Sequence, residues 1–297
     1  MPLVSVIIPA YNPGRYLDEA VRSVIAQTFT DWECIIVDDG STEDLSRVKK
    51  MDPRIRCFVT PNRGQSVARN LGIARASGEL VALLDADDLW EPTKLALQVP
   101  GMLADAEIGL SYTGFSFIDA EGRFTGSGWA QPRLSYLEIL GKPGGPLPSA
   151  AVLRRGALQM VGGFDPFHQG HEDSDVWLKV SRYFKVEFVP EPLMLYRVHG
   201  SNFSKKYRMM HDSITDILRK HESMARAVGD TAALRAARAL RRPNRLEYGI
   251  QAYDAARRSL KDGDFRGVVF HLSRAVANNP RYFFRSIVKT RRSPRGH

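Results

Sequence analysis

The first third of the chain alternates short apolar runs with longer amphipathic ones. Residues 3–8, 32–37 and 55–59 are short, mostly apolar strand-like runs, and 80–84 is an unbroken apolar run, too short for an ordinary helix and suited to a strand buried on both faces. Between them, Leu17, Ala20, Val21, Val24 and Ile25 recur at helical spacing, and residues 66–76 form a second helix with Val67, Leu71 and Ala74 predicted inward and Gly78 as its stop. Ser41, three before Asp44, resembles a capping box and predicts a short helix through Val48. Strands alternating with helices imply right-handed crossovers and a mostly parallel sheet, so the loops after strands one, two and four gather along one carboxyl edge.

Further on, a helix follows Pro92, residues 108–118 alternate as a strand, and a turn spans 119–123. Residues 126–148 read as loop around a short helix at 134–140, with Gly144-Gly145-Pro146 either an acceptor-facing loop or inert surface. Residues 150–153 are strand-like, Gly162-Gly163-Phe164-Asp165 is a turn, and His171 to Asp175 opens a helix carrying Val176, Trp177 and Val180. Two short strands, 186–189 and 194–198, end at His199-Gly200-Ser201-Asn202. From Tyr207 the pattern is helical: 211–227, 231–241, 246–261 and 265–277, the last two resembling one tetratricopeptide-like hairpin. This predicts an α/β domain over 1–205 and an all-helical extension over 206–297.

The loop at the end of strand four carries the clearest chemistry. In extended backbone, side chains two apart point the same way, so Asp85 and Asp87 face one site while Ala86 and Asp88 face the other. Two carboxylates at the carboxyl end of a strand suit a hard divalent cation and its phosphates. Asp88 reads as a cap for the helix after Pro92.

Composition adds bounds. Of 297 residues 43% are apolar, enough for a packed core, and the two cysteines, Cys34 and Cys57, sit in strand-like runs as buried free thiols without metal spacing. No 18-residue apolar run or signal-peptide start is present, which predicts a cytoplasmic protein. Much of the net charge of +9 lies after residue 204, and Arg285, Lys289, Arg291, Arg292 and Arg295 have no acid among them. That tail predicts peripheral contact with the inner, anionic face of a membrane, with no nucleic-acid partner because the carboxyl edge of the core is acidic. No glycine-rich phosphate loop follows strand one, which removes dinucleotide, P-loop and nucleotidyltransferase readings.

Seven short motifs stand in order: Val6-Ile7-Ile8-Pro9-Ala10-Tyr11-Asn12, Val37-Asp38-Asp39-Gly40-Ser41, Ala68-Arg69-Asn70-Leu71-Gly72, Leu84-Asp85-Ala86-Asp87-Asp88-Leu89-Trp90, Gly162-Gly163-Phe164-Asp165, Glu172-Asp173 and Tyr196-Arg197-Val198-His199. Together, over roughly residues 3–205, the chain resembles family 2 glycosyltransferases of the GT-A fold. The resemblance implies inverting transfer of a sugar from a nucleotide donor, usually a UDP-sugar, to a glycan or lipid-linked acceptor, with Mn²⁺ or Mg²⁺ and a place in cell-surface glycan synthesis. It assigns the nucleotide sugar to Pro9, Ala10, Tyr11, Asn12, Asp39, Arg69, Asn70, Asp85, Ala86 and Asp87. Asp87 is the expected direct metal ligand, Asp85 lies nearer the ribose, and His199 is a further ligand whose nitrogen favours Mn²⁺. Asp173 is the implied base, with Glu172 positioning the acceptor. Acidic neighbours and partial burial are expected to raise the pKa of Asp173. The competing reading is a catalytically silent module of the same fold that binds nucleotide sugar without turnover.

Overall fold

The computed structural model describes residues 1–284 except 129, 131, 133–134, 142–144, 169, 201 and 203–205. The basic tail from Arg285 onward and Gly144 lie outside the described residues. The chain divides into two compact units, Met1–Asn202 and Phe203–His297.

In the first unit, strands β1 (Val4–Ala10), β2 (Trp32–Asp38), β3 (Ile55–Val59) and β4 (Leu80–Leu83) occupy the predicted apolar runs. They pair in parallel in the order β3-β2-β1-β4, with Ile7 opposite both Ile35 and Leu83. The remaining strands are β5 (Leu89–Trp90), β6 (Ile108–Ile118), β7 (Phe124–Gly128), β8 (Ala151–Arg154) and β9 (Lys185–Arg197). β8 runs antiparallel between β4 and β6, β6 is parallel to β9, and β5 closes the path antiparallel to β9. The sheet is therefore parallel in its first half and mixed in its second. That arrangement, with the helical region beyond it, is the GT-A-like architecture expected.

Two predicted strands, 186–189 and 194–198, are one strand. β9 stays on β6 throughout, and its register slips where Thr113 and Gly114 pair with Val189 and Pro192. Pro190 and Pro192 cannot donate to a ladder, so the strand bulges there instead of ending.

The helices are α1 (Tyr16–Ile25), α2 (Gln65–Arg75), α3 (Lys94–Ala104), α4 (Tyr136–Leu140), α5 (Arg155–Met160) and α6 (Glu172–Ser181). α1 buries Leu17, Ala20, Val21 and Val24 as its spacing requires. α2 does not bury the face predicted for it: Ala74 is exposed, Val67 and Leu71 are half-buried, and the inward residues are Ser66, Ala68, Arg69 and Gly72. The cause is close approach, because a Cβ at position 72 would collide with Ile7 on β1. The capping box at Ser41 is also absent. Ser41 Oγ accepts from the Asn12 amide, Asp44 accepts from Ser46, and a 3₁₀ turn covers Ser46–Lys50 instead.

The second unit holds α7 (Tyr207–Ala227), α8 (Thr231–Lys261) and α9 (Phe265–Asn278). α8 runs unbroken where two helices were expected, with Pro243 inside it. Buried Ala233, Ala237 and Leu240 on one side of the proline and Tyr248, Ala252 and Ala256 on the other hold the two stretches as one helix. The predicted hairpin is the pair α8 and α9, packed around Ala252, Tyr253 and Ala275. No described helix is long and apolar enough to cross a membrane.

Candidate active site

The carboxyl edge of the parallel strands gathers the residues singled out by the sequence. β1 ends at Pro9 and Ala10, whose carbonyl accepts from the Asp39 amide at 2.8 Å. Tyr11 follows, 54% exposed. Asn12 takes a left-handed conformation, φ 45°, and its side-chain carbonyl accepts from the Thr42 amide at 2.8 Å and hydroxyl at 3.0 Å. The Asp39 carboxylate is buried and accepts the backbone amides of Arg63 at 2.9 Å and Gly64 at 2.8 Å. These bonds shape a cradle between the loops after β1, β2 and β3.

After β4 the chain turns, with the Asp88 amide donating to the Asp85 carbonyl. The turn keeps the expected alternation: Ala86 and Asp88 are buried, while Asp85 and Asp87 are 30% and 32% exposed at the side chain. Asp87 Oδ2 lies 2.8 Å from His199 Nε2, so a carboxylate and an imidazole from segments 112 positions apart converge. The His199 amide donates to Asn202 Oδ1, Asn202 Nδ2 donates to the Arg197 carbonyl, and the Tyr16 ring lies 5.2 Å from the imidazole.

Asp88 is not the helix cap expected of it, since Thr93 stands before α3. It is a buried acceptor, taking the Ser149 hydroxyl at 2.6 Å and the Arg197 amide at 3.0 Å. Burial, then Asp87 and Asp85 beside it, push its carboxyl well above the usual range. Ser149 also accepts the Asp85 amide at 3.0 Å, and the fully buried Arg197 donates to the Asp87 carbonyl at 2.8 Å and to Glu19 at 2.7 Å. Ser149, Asp88 and Arg197 thus fix both ends of the acidic turn. Arg197 stood in a quoted motif without a role, and Ser149 had no signal, because its partners come from elsewhere in the chain.

Arg69, expected near the pyrophosphate, is 1% exposed and bridges two acids. It donates to Asp85 Oδ1 at 2.7 Å and to Glu172 Oε1 at 2.5 Å, and its Nε has no acceptor among the described residues. Both carboxylates oppose the effect of burial and hold the guanidinium charged. The bridge ties the acidic turn to the first residue of α6. Asn70, beside Arg69, is committed elsewhere, exchanging hydrogen bonds with the Phe164 backbone at 2.7 and 3.0 Å.

α6 opens after His171, a non-glycine residue held at φ 55°. Burial first, then the charge of Glu172, push the Asp173 carboxyl up to about 7 against the pull of Arg69. The rise expected for Asp173 is therefore present. A second set of metal-capable side chains, Asp165, His168 and Asp175, has its donor atoms within 4.8 Å of one another. There Lys179 Nζ stands 3.1 Å from Asp175, so that carboxylate already has a cation.

The model for glycosyl transferase family 2 matches residues 5–160, and the chain belongs to that family. An uncharacterised glycosyltransferase of Nostoc sp. is 34% identical over 212 residues, 67% of this chain and 66% of that protein. A putative teichuronic acid biosynthesis glycosyltransferase of Bacillus subtilis, TuaG, is 42% identical over 126 residues, 41% of this chain and 50% of that protein. The chain thus spans less than two-thirds of either relative. Among solved structures, the Pyrobaculum calidifontis mannosyltransferase PcManGT, in complex with GDP-Man and Mn²⁺, superposes with a TM-score of 0.63 at 19% identity, covering 98% of this chain and 79% of that one. S. aureus TarS 1-349 in complex with UDP-GlcNAc does so at 0.61 and 15%, covering 94% and 93%. At these identities the two structures establish the fold.

Proposed function

We propose that this glycosyltransferase moves a sugar from a nucleoside diphosphate donor, with UDP-sugars first among candidates, to an acceptor hydroxyl by a single inverting displacement. The observation that carries the reading is the Arg69 bridge, which joins Asp85 to Glu172 and so sets the raised-pKa Asp173 beside the acidic turn. In that scheme the acceptor oxygen bonds to the anomeric carbon as the bond from that carbon to the β-phosphate oxygen breaks, the acceptor proton passes to Asp173, and nucleoside diphosphate leaves. A group with pKa near 7 holds and releases a proton at working pH. Glu172, fixed by Arg69, positions the acceptor side.

Asp87 and His199 fit a divalent cation, because one oxygen and one nitrogen converge at 2.8 Å while Asp87 stays open to further ligands. The mixed donor set favours Mn²⁺ over Mg²⁺. When bound, the cation supplies neutralisation of charge on the departing diphosphate. Asp39, Tyr11, Pro9, Ala10 and Asn12 serve the nucleoside side and Asp85 the ribose, while the buried Ala86 and Arg69, and Asn70 on the Phe164 backbone, support these turns from behind. The acceptor is a glycan or lipid-linked acceptor of cell-surface assembly, a reading supported by the Bacillus relative's putative place in teichuronic acid biosynthesis.

The test is release of UDP from a panel of UDP-sugars with candidate acceptors, with and without Mn²⁺. Acceptor-dependent release that vanishes in Asp173→Asn while UDP binding persists supports transfer. Binding without release across the panel would favour the silent module.

A further inference from the structure

Helix α9 presents an apolar stripe to solvent. Phe265, Val269 and Val276, at spacings that share one helical face, are 72%, 70% and 37% exposed. The adjoining flank holds the helix in place: Ala275 is buried against α8, and His271 bonds the Tyr207 hydroxyl. Charge on α9 has one sign, with Arg266 and Arg274 as its only Lys, Arg, Asp or Glu residues. About a third of a turn round the helix, Phe270 lies under the guanidinium groups of Arg274 and Arg208, each 5.5 Å from its ring centroid. Residues 281–297 add lysines and arginines and no acid.

We propose that this face of α9 docks on an anionic lipid surface, the stripe entering the headgroup layer and Arg266 beside it meeting lipid phosphates. An exposed apolar stripe with Arg266 at its border, on a helix that carries no acid, is the pattern of an interfacial helix. A lipid surface needs no matching groove, and its negative charge complements the flank. A second copy of the chain is disfavoured as occupant because both copies carry the same excess of positive charge, +9 overall.

The experiment is co-sedimentation of the full chain with vesicles of phosphatidylcholine and phosphatidylglycerol in equal parts, against phosphatidylcholine alone. The wild type is expected to bind the mixed vesicles in a salt-sensitive manner and the neutral ones weakly. Phe265→Ser with Val269→Ser is expected to weaken binding about tenfold or more with unchanged thermal stability, since both side chains are already in water. Arg266→Glu with Arg274→Glu should weaken it as well, and a chain ending at residue 284 should retain dependence on the stripe. The proposal is overturned by absence of binding to mixed vesicles, by equal binding to both vesicle types, or by full binding in the serine variant. It is also overturned if the wild type self-associates through this face and the serine variant becomes monomeric without any vesicle effect. Vesicle binding is scored without turnover, so the result is independent of the transfer reading.

Discussion

Replacing Arg69 by methionine tests the bridge directly. The guanidinium holds Glu172, 3% exposed at its side chain, and Asp85, 30% exposed, and its removal leaves both acids facing Asp173 without a cation. Breaking a buried ion pair costs about 3–5 kcal/mol, and the partial exposure of Asp85 places this site near the lower end, about 3 kcal/mol. For a domain of this size that corresponds to a melting point lower by about 6–12 °C. The deficit should shrink as pH falls, because the uncompensated charge is then neutralised by protonation. The variant should also move the alkaline rise in transfer activity upward from about pH 7, since Arg69 restrains the Asp173 pKa in the native protein. Thermal melts of Arg69→Met and Arg69→Met/Glu172→Gln across pH, with a pH profile of UDP release, measure all three effects. The double variant should recover part of the loss. A melting point unchanged at alkaline pH, or a deficit that is the same in acid, would refute the bridge as described.

Four further outcomes follow from the site. Activity should rise with pH through about 7 as Asp173 loses its proton, and Asp173→Asn should lower transfer about 10²- to 10⁴-fold with UDP affinity kept. The same substitution should stabilise the fold increasingly as pH rises through the interval between an ordinary carboxyl pKa and about 7, because a raised native pKa makes ionisation unfavourable to folding; melts of wild type and variant across pH check the sign. Asp87→Ala, or chelation of the wild type, should abolish the dependence of UDP affinity on Mn²⁺ in calorimetry, and equal affinity with and without Mn²⁺ in the wild type would remove Asp87 from metal binding. Ser149→Ala strips Asp88 of a donor and the Asp85 amide of an acceptor, so it should cost about 1–3 kcal/mol in denaturant unfolding and weaken donor binding.

Short, mostly apolar runs were sufficient to locate the four parallel strands and the acidic turn, because β1, β2 and β4 are buried almost throughout, and even β3, at the sheet's end with Arg56 and Val59 exposed, keeps an apolar majority. The inward face of α2 was not legible the same way. Apolar spacing selected Val67, Leu71 and Ala74, whereas the helix sits on the sheet through Gly72 and turns Arg69 inward, an arrangement stable only because carboxylates 16 and 103 positions away meet it. Asp88 misled for a related reason. An acid before a helix suggests a cap, and its true partners, Ser149 and Arg197, are 61 and 109 positions distant. Local chemistry was readable; pairing between remote polar groups, including the Ser149 contacts, leaves no periodic trace.

The glycine at position 72 makes the geometry of this centre hostage to the volume of a residue that touches no ligand. It stands one helical turn after Arg69 on the same buried face, and Ile7 on β1 fills the space where its side chain would be. Any larger residue there would lift the helix and withdraw the arginine from both acids unless position 7 shrank in step. Divergence within such a scaffold should therefore show these two positions drifting as a pair, one gaining bulk as the other gives it up.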